Sequence, residues 1–350
     1  MKGDETMLLS VDRSVPAFQE DSREELRKAL ANAGYVCNAD PGKNGILIAA
    51  GDPAKQFREN PLQILQGIRL AVQYGLSIAP DTEQAMLAQA VHMKRLDQGC
   101  IFEELCGLLP LLGAGDMQRF ATVLAAAIPE LQPMISFDQR SPHHGYDLYT
   151  HVAGVVACVP GDPCLRWAAL LHDVGKVPTF TVDETGRGHF RDHAAKGAQM
   201  ADAILRRLKA PNTLREQVVL LIEKHMLWLV PEKAQLRNQI NQLGLGTVYQ
   251  ILSLQQADNS NKGTAKSDEN EKYIRILDVL EEIRSEDGYL SLKDLAVTGE
   301  DLVQIGFSGR TIGLMLNWLL DQVTRETLPN ERDVLLAWAK QVWMNAWRNS

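Results

Sequence analysis

The sequence lacks any apolar run near the ~20 residues that a membrane-spanning helix requires. Its first residues, MKGDETMLLSVDRS, also lack the apolar stretch of a signal peptide. Cysteine is scarce: there are five, an odd number, and no CxxC pair occurs among them. This usage is typical of reduced thiols. We therefore expect a cytoplasmic protein without a membrane partner.

Aromatic residues make up only 6% of the chain, and no run of alternating β-branched residues indicates a sheet. Leu, Ala, Gln, Glu and Lys are plentiful, a mixture that favours helices. The composition therefore predicts an all-α fold. The formal net charge is −8 over 350 residues, so the chain as a whole has no electrostatic attraction to nucleic acid. Binding of nucleic acid through a local basic patch remains an open alternative.

Helical patterns follow one another along the chain. We expect a helix at Ser22–Ala33, and Asn60 and Pro61 are suited to begin another. Apolar residues then recur at spacings of three and four from Leu62 onward. Pro80 starts the next helix, and the VDETGRG segment before His193 predicts a short hairpin or loop.

Four residues in these helices have the side chains of a metal site. His172 and Asp173 end the apolar run LRWAALL, His151 lies on a predicted helix, and Asp258 ends the run TVYQILSLQQADN. Adjacent helical residues point about 100° apart, so His172 and Asp173 can share an ion only near a helix end. Imidazoles and carboxylates are the expected ligands of Mn, Fe, Zn or Ni.

Two further histidines extend this site. His193 begins a helix and His225 ends one, so that with Asp173 as a bridging carboxylate they could hold a second ion. Lys176 is placed to meet a phosphate group. We therefore predict Asp173 and Lys176 as catalytic residues, and one or two ions held by His151, His172, Asp173, His193, His225 and Asp258. His143, His144, His189 and Asp192 lie near enough in sequence to be considered as additional residues of the site.

The motif LLHDVGK, with His151 before it and QQAD after it, resembles the HD-domain metal-dependent phosphohydrolases. Three longer stretches are similar to bacterial tRNA nucleotidyltransferases and poly(A) polymerases. The run from Lys43 to Thr82 resembles their neck, HFRDHAAKGAQMADAILRRLKAPN resembles the HD domain that follows it, and LSLKDLAVTGEDLVQIGFSGRTIG resembles their C-terminal region. The resemblance implies an N-terminal segment (1–43), a helical neck-like domain (44–140), an HD-domain helical bundle (141–286) and a C-terminal helical region (287–350).

The sequence also departs from that family. The Gly-Gly-Ser/Thr motif and the Asp-x-Asp pair of the family's nucleotidyltransferase head are not found in the sequence. Where the family has Glu-Asp-x-x-Arg, this chain reads Glu59-Asn60-Pro61-Leu62-Gln63. A charged pair that would read the incoming base is thus replaced by neutral amides. We therefore expect no nucleotide addition.

From this resemblance we expect a metal-dependent phosphohydrolase, acting as a phosphomonoesterase or phosphodiesterase on phosphorylated small molecules or nucleotides, 2′,3′-cyclic nucleotides among them. Two other hypotheses remain open. The chain could be a non-catalytic module that binds tRNA or another RNA, or it could be a relic that holds no metal. The residues do not decide the identity of the metal.

Overall fold

The computed structural model describes residues 20–38, 45–141, 145–263, 267–286, 292–324 and 327–342. The prediction of an all-α fold is confirmed, since helices dominate these residues and strands are few and short. Within this part of the chain, no helix has both the length and the apolar character to cross a membrane.

The first part of the chain combines short helices with a small sheet. The strands are β1 (Tyr35–Cys37), β2 (Ile46–Ala49) and β3 (Ser77–Ile78). β1 pairs antiparallel to β2 with Val36 opposite Ile48, and β2 pairs parallel to β3. The helices are α1 (Glu20–Asn32), α2 (Pro53–Glu59), α3 (Leu62–Tyr74), α4 (Pro80–Gln89), α5 (Gln98–Leu108), α6 (Ala114–Arg119) and α7 (Ala121–Ala127), with 3₁₀ turns at Ala90–Arg95, Leu109–Leu111 and Pro129–Met134.

The helices that surround the histidines come next. They are α8 (Leu148–Cys158), α9 (Pro163–Leu171), α10 (Lys176–Thr179), α11 (His193–Arg207), α12 (Asn212–Lys224), α13 (Lys233–Leu243), α14 (Leu245–Ser260) and α15 (Ser267–Glu286). Between α10 and α11 the strands β4 (Phe180–Val182) and β5 (Gly188–Phe190) form the hairpin that the VDETGRG segment predicts. The last elements are a 3₁₀ turn at Leu292–Asp294, then α16 (Gly299–Gln304), α17 (Arg310–Thr324) and α18 (Arg332–Val342).

Two hydrophobic cores hold these elements together. The larger one extends from Leu26 to Ile283 and includes nearly all of α9, whose Trp167 is among the largest fully buried side chains. The smaller one lies between Leu295 and Ala339. The division of the chain into the four predicted domains remains a prediction.

One detail of the predicted helix boundaries is wrong. Asn60 was expected to cap the helix that follows it, but it instead ends α2, and its backbone N–H bonds to the carbonyl of Gln56. Pro61 then precedes α3 without any side-chain cap. α3 ends at Gly75, whose positive φ of 63° is the left-handed conformation in which helices commonly terminate.

Candidate metal centre

The turn after α9 places His172 and Asp173 together. α9 begins at Pro163, and Asp162 caps it by accepting a hydrogen bond of 2.8 Å from the Leu165 amide. It ends at Leu171, so the two polar residues follow directly on a helix whose apolar side chains are buried in the core. The expected helix end is therefore present, and it lets both side chains turn toward the same point.

Gly175 allows α11 to approach this turn. A Cβ atom at Gly175 would lie 2.2 Å from the His193 carbonyl oxygen and 2.5 Å from the Gly197 amide nitrogen. Because no side chain fits in that space, the first turn of α11 packs directly on the turn after α9. His193, at the start of α11, is thereby brought next to Asp173.

The structure brings all six predicted ligands into one buried cluster. Its members come from α8, the turn after α9, the start of α11, the end of α12 and the last turns of α14: His151, His172, Asp173, His193, His225 and Asp258. His151 Nε2 lies 3.0 Å from Asp258 Oδ1 and 3.5 Å from Asp173 Oδ2. His193 Nε2 lies 3.6 Å from Asp173 Oδ1 and 3.2 Å from His225 Nε2.

The cluster divides into two groups that share Asp173. In one group, ligand atoms of His151, His172 and Asp173 lie within 4.8 Å of one another, and in the other those of Asp173, His193 and His225 do. Asp173 offers Oδ2 to the first group and Oδ1 to the second. One carboxylate oxygen of Asp173 thus faces each group, and its role as a bridging ligand stays a prediction.

The orientation of the four imidazoles fits a metal ion. Each Nδ1 lies 2.7–3.0 Å from a backbone carbonyl oxygen, and the four carbonyls belong to Asn261, Ala169, Phe190 and Ile222. A carbonyl oxygen can only accept, so Nδ1 carries a proton in each ring, and a ring that is neutral directs its Nε2 lone pair inward. Metal-bound histidines have this same outer hydrogen bond.

The contact between His193 and His225 also fits a bound ion. When both rings are neutral and protonated at Nδ1, two Nε2 lone pairs face each other across 3.2 Å. Such a contact is repulsive unless a proton or a metal ion lies beside it. The donor set of imidazole nitrogens and carboxylate oxygens suits a divalent transition metal.

The charges in the cluster are strongly coupled. Burial lowers the pKa of His225 to about 4. Burial would also lower the pKa of His151, but its contacts with Asp173 and Asp258 outweigh that effect and raise it to about 9. Although burial opposes ionisation of Asp173, the neighbouring His172 and Lys176 hold its pKa well below the usual range. The metal-free cluster thus keeps both carboxylates ionised.

Lysines complete the cluster. Lys176 Nζ lies 2.8 Å from Asp173 Oδ2 and donates a 3.1 Å hydrogen bond to Gln139 Oε1. Lys262 Nζ lies 2.9 Å from Asp258 Oδ2. The sequence analysis missed Lys262 and Gln139. Lys262 lies four residues after Asp258, just beyond the end of α14, and this short separation was the available signal. Gln139, in contrast, is brought in only by the tertiary fold.

A cavity of about 260 Å³ opens onto the cluster. Its lining consists of Asp173, Lys176, Gly188, His189, Phe190, His193, His225, Met226, Asp258 and Lys262. His189 therefore lies at the cavity. Its Nε2 atom is 2.6 Å from Oδ2 of Asp183, a residue of the loop between β4 and β5. Asp192 is exposed and precedes α11, while His143 and His144 lie outside the described residues.

A separate basic patch lies on α2 and on the 3₁₀ turn at Ala90–Arg95. It consists of Arg58, His92, Lys94 and Arg95. Arg95 donates to the Arg58 carbonyl oxygen. Desolvation, followed by the charges of Arg95, Arg58 and Lys94, lowers the pKa of His92. Within the described part of the chain none of these four residues forms an ion pair with a carboxylate, so positive charge is concentrated there.

Comparison with known proteins relates the chain to tRNA nucleotidyltransferases. Residues 193–339 match the family described as tRNA nucleotidyltransferase domain 2, putative. The A-adding tRNA nucleotidyltransferase of Deinococcus radiodurans is 32% identical over 248 residues, which cover 65% of this chain and 56% of that protein. The CC-adding enzyme of Thermus thermophilus is 31% identical over 194 residues, or 51% of this chain and 44% of that one. The chain spans about half the length of these curated relatives.

One solved structure also aligns with the chain. The crystal structure of the Bacillus stearothermophilus CCA-adding enzyme in complex with CTP aligns with 85% of this chain and 65% of its own, at 19% identity. Its TM-score of 0.44 is too low for this likeness to support an inference about fold or function.

These relationships correct the expected function. The matched family and the relatives are tRNA nucleotidyltransferases, which are transferases. The prediction of a metal-dependent phosphohydrolase is therefore wrong. The assignment of Asp173 and Lys176 as catalytic residues stays a prediction. The relationship to tRNA nucleotidyltransferases is confirmed. The comparisons give no support to the resemblance to HD-domain phosphohydrolases.

Proposed function

We propose that this chain is a tRNA-binding module related to tRNA nucleotidyltransferases. The observation that carries the proposal is the sequence relationship itself, which extends over 65% of the chain at 32% identity. The proteins to which the chain is related are named for acting on tRNA. Binding of tRNA is a property that a module covering about half of such proteins can retain on its own.

The basic patch supports this proposal. An acidic chain with a net charge of −8 needs a local concentration of cations to hold a phosphate backbone. Arg58, Lys94 and Arg95 provide it, because all three are exposed and no carboxylate among the described residues pairs with them. Each phosphate that they neutralise releases counterions from the RNA, which favours binding at low salt.

We also propose that the six-residue cluster holds one or two divalent transition-metal ions, with Mn, Fe, Ni or Zn as candidates. His151, His172, Asp173 and Asp258 would hold one ion, and Asp173, His193 and His225 a second. A bound ion supplies a concentrated positive charge that attracts phosphate oxygens. Lys176 and Lys262 line the same cavity and would add to that attraction.

A mobility-shift assay with a tRNA transcript at low salt tests RNA binding. The variant Arg58→Gln/Lys94→Gln/Arg95→Gln removes three positive charges from the basic patch. Its matched control, Lys28→Gln/Arg206→Gln/Arg275→Gln, removes three exposed charges that already pair with carboxylates. We expect the patch variant to bind at least tenfold more weakly and the control to bind nearly as the wild type. Failure of the wild type to bind tRNA even at low salt would refute the proposal.

Metal content after removal and re-addition of Mn, Fe, Ni or Zn tests the cluster. Because Asp173 contributes to both groups, the Asp173→Asn variant should lose all bound metal. His193→Gln should lose only the second ion. The control Asp202→Asn lies on the same helix as His193, but its partners are Arg206 and Arg215, so metal content should not change. A folded Asp173→Asn variant with wild-type metal content would overturn this assignment.

A further inference from the structure

Trp228 is the most exposed large hydrophobic side chain in the described part of the chain. Its relative exposure is 73%, against 1% for the neighbouring Leu229, which is buried in the core. Trp228 lies between α12 and α13. A solvent-exposed indole of this size loses contact with water only when another molecule covers it, so its position is typical of a binding contact.

The segment that carries Trp228 is held firmly. Gln255 Nε2 donates hydrogen bonds to the carbonyl oxygens of His225, at 2.9 Å, and Leu227, at 2.7 Å. Gln235 Nε2 donates to the Trp228 carbonyl oxygen at 2.8 Å. Two glutamine side chains from α14 and α13 thus fix the backbone on both sides of the indole, which is presented to solvent in a defined orientation.

A cation lies over the indole ring. Lys272 Nζ, from α15, is 4.0 Å from the ring centroid, a distance typical of a cation–π interaction. The ring is nevertheless largely exposed, which leaves room for a second flat group to stack on it. Bases of single-stranded nucleic acid stack on aromatic side chains in this way, with nearby cations binding the backbone.

Trp228 is also close in sequence to the lining of the metal-centre cavity. Met226 lines that cavity, and Trp228 follows it by two residues, a span of at most about 7 Å along the backbone. The cavity contains Lys176 and Lys262. Each lysine pairs with a carboxylate of the cluster, and its remaining N–H donor suits a phosphate oxygen. We propose that Trp228 is a stacking platform for a base of single-stranded RNA whose neighbouring phosphate enters this cavity. The inference rests on the proposed tRNA binding and adds the position and chemistry of one contact.

Binding of a six-nucleotide oligoadenylate RNA to the full chain tests this contact. The comparison ligand is a ribose-phosphate oligomer of the same length without bases. We expect Trp228→Leu to weaken binding of oligoadenylate by about 5- to 150-fold, the range of one base–aromatic stack. Trp228→Phe, which keeps a ring, should stay within a few fold of the wild type. The base-free oligomer should bind the wild type and Trp228→Leu equally.

Trp338→Leu serves as the matched control, since Trp338 is an exposed tryptophan on α18, where its ring packs beside Trp318. It should leave the affinity for oligoadenylate unchanged. Equal binding of oligoadenylate to the wild type and Trp228→Leu would overturn the stacking contact while leaving tRNA binding intact. An equal loss of affinity for the base-free oligomer would also overturn it. If the wild type binds neither tRNA nor oligoadenylate, the proposed function itself fails.

Discussion

Replacing Asp173 with Asn removes a charge from the centre of the buried cluster. In the metal-free protein the carboxylates of Asp173 and Asp258 face three cations, which are Lys176, Lys262 and His151 with its pKa raised to about 9. Asp173 and Lys176 are both buried, and their charged atoms lie 2.8 Å apart. The Asp173→Asn variant leaves Lys176 buried without its carboxylate partner.

The expected size of the effect follows from this burial. Removing one partner of a buried ion pair lowers the free energy of unfolding by about 3–5 kcal/mol, because the remaining charge is uncompensated. At about 2.1 cal/mol/K per residue, the unfolding entropy of 350 residues is roughly 0.7 kcal/mol/K, so the melting temperature should fall by roughly 4–7 °C. Removing both charges in Asp173→Asn/Lys176→Met leaves no buried lysine, and the double variant should be more stable than the single one by about 1–3 kcal/mol.

Urea denaturation in the presence of a chelator, followed by circular dichroism, measures these differences. Glu271→Gln is the control, because its pair with Arg275 is largely exposed and should contribute no more than about 1 kcal/mol. The reasoning is refuted if Asp173→Asn loses less than about 1 kcal/mol, or if the double variant is no more stable than the single one.

Two further predictions concern the same region. Gly175→Ala should lower the free energy of unfolding by about 1–3 kcal/mol in urea denaturation, because the new Cβ meets the backbone of α11, whereas Gly115→Ala, with no atom within 4 Å of its Cβ, should cause no loss. The pKa of His225, about 4 when folded, lies below the ~6.5 of the unfolded chain. The unfolded chain therefore binds a proton first as the pH falls, so stability is full above pH ~6.5 and decreases toward pH ~4 by up to about 3 kcal/mol. His225→Gln should flatten this slope in the metal-free protein; an unchanged slope would contradict the assignment.

Much of the helical architecture could be predicted from the sequence. The helix expected at Ser22–Ala33 is α1, and Pro80 does begin α4. In both cases local signals decide, since apolar spacing and proline at a helix start act over one or two turns. The small sheet was missed because its strands are only two to four residues long, too short to show alternation. Its formation depends on contacts distant in sequence, such as the 3.2 Å bond from the Ala49 amide to Thr82.

The same contrast holds at the candidate site. The six candidate ligands were proposed because histidine and aspartate recur on successive predicted helices, and the fold does bring these residues together. Gln139 was not identified, because 37 residues separate it from Lys176 and no local pattern marks it. The predicted reaction, hydrolysis of phosphate esters, was wrong for a related reason. A set of ligands limits the classes of ion that can bind, whereas the reaction depends on the surrounding site, which the ligands alone do not define.

The salt dependence of tRNA binding tests the central claim most directly. If the chain binds tRNA through the basic patch, the logarithm of the association constant should fall linearly with the logarithm of the salt concentration. The slope should be shallower by about 2–3 for Arg58→Gln/Lys94→Gln/Arg95→Gln, roughly one unit for each lost phosphate contact. The matched control variant should keep the wild-type slope. An affinity that does not change between about 50 and 200 mM salt, or a patch variant with the wild-type slope, would contradict the account.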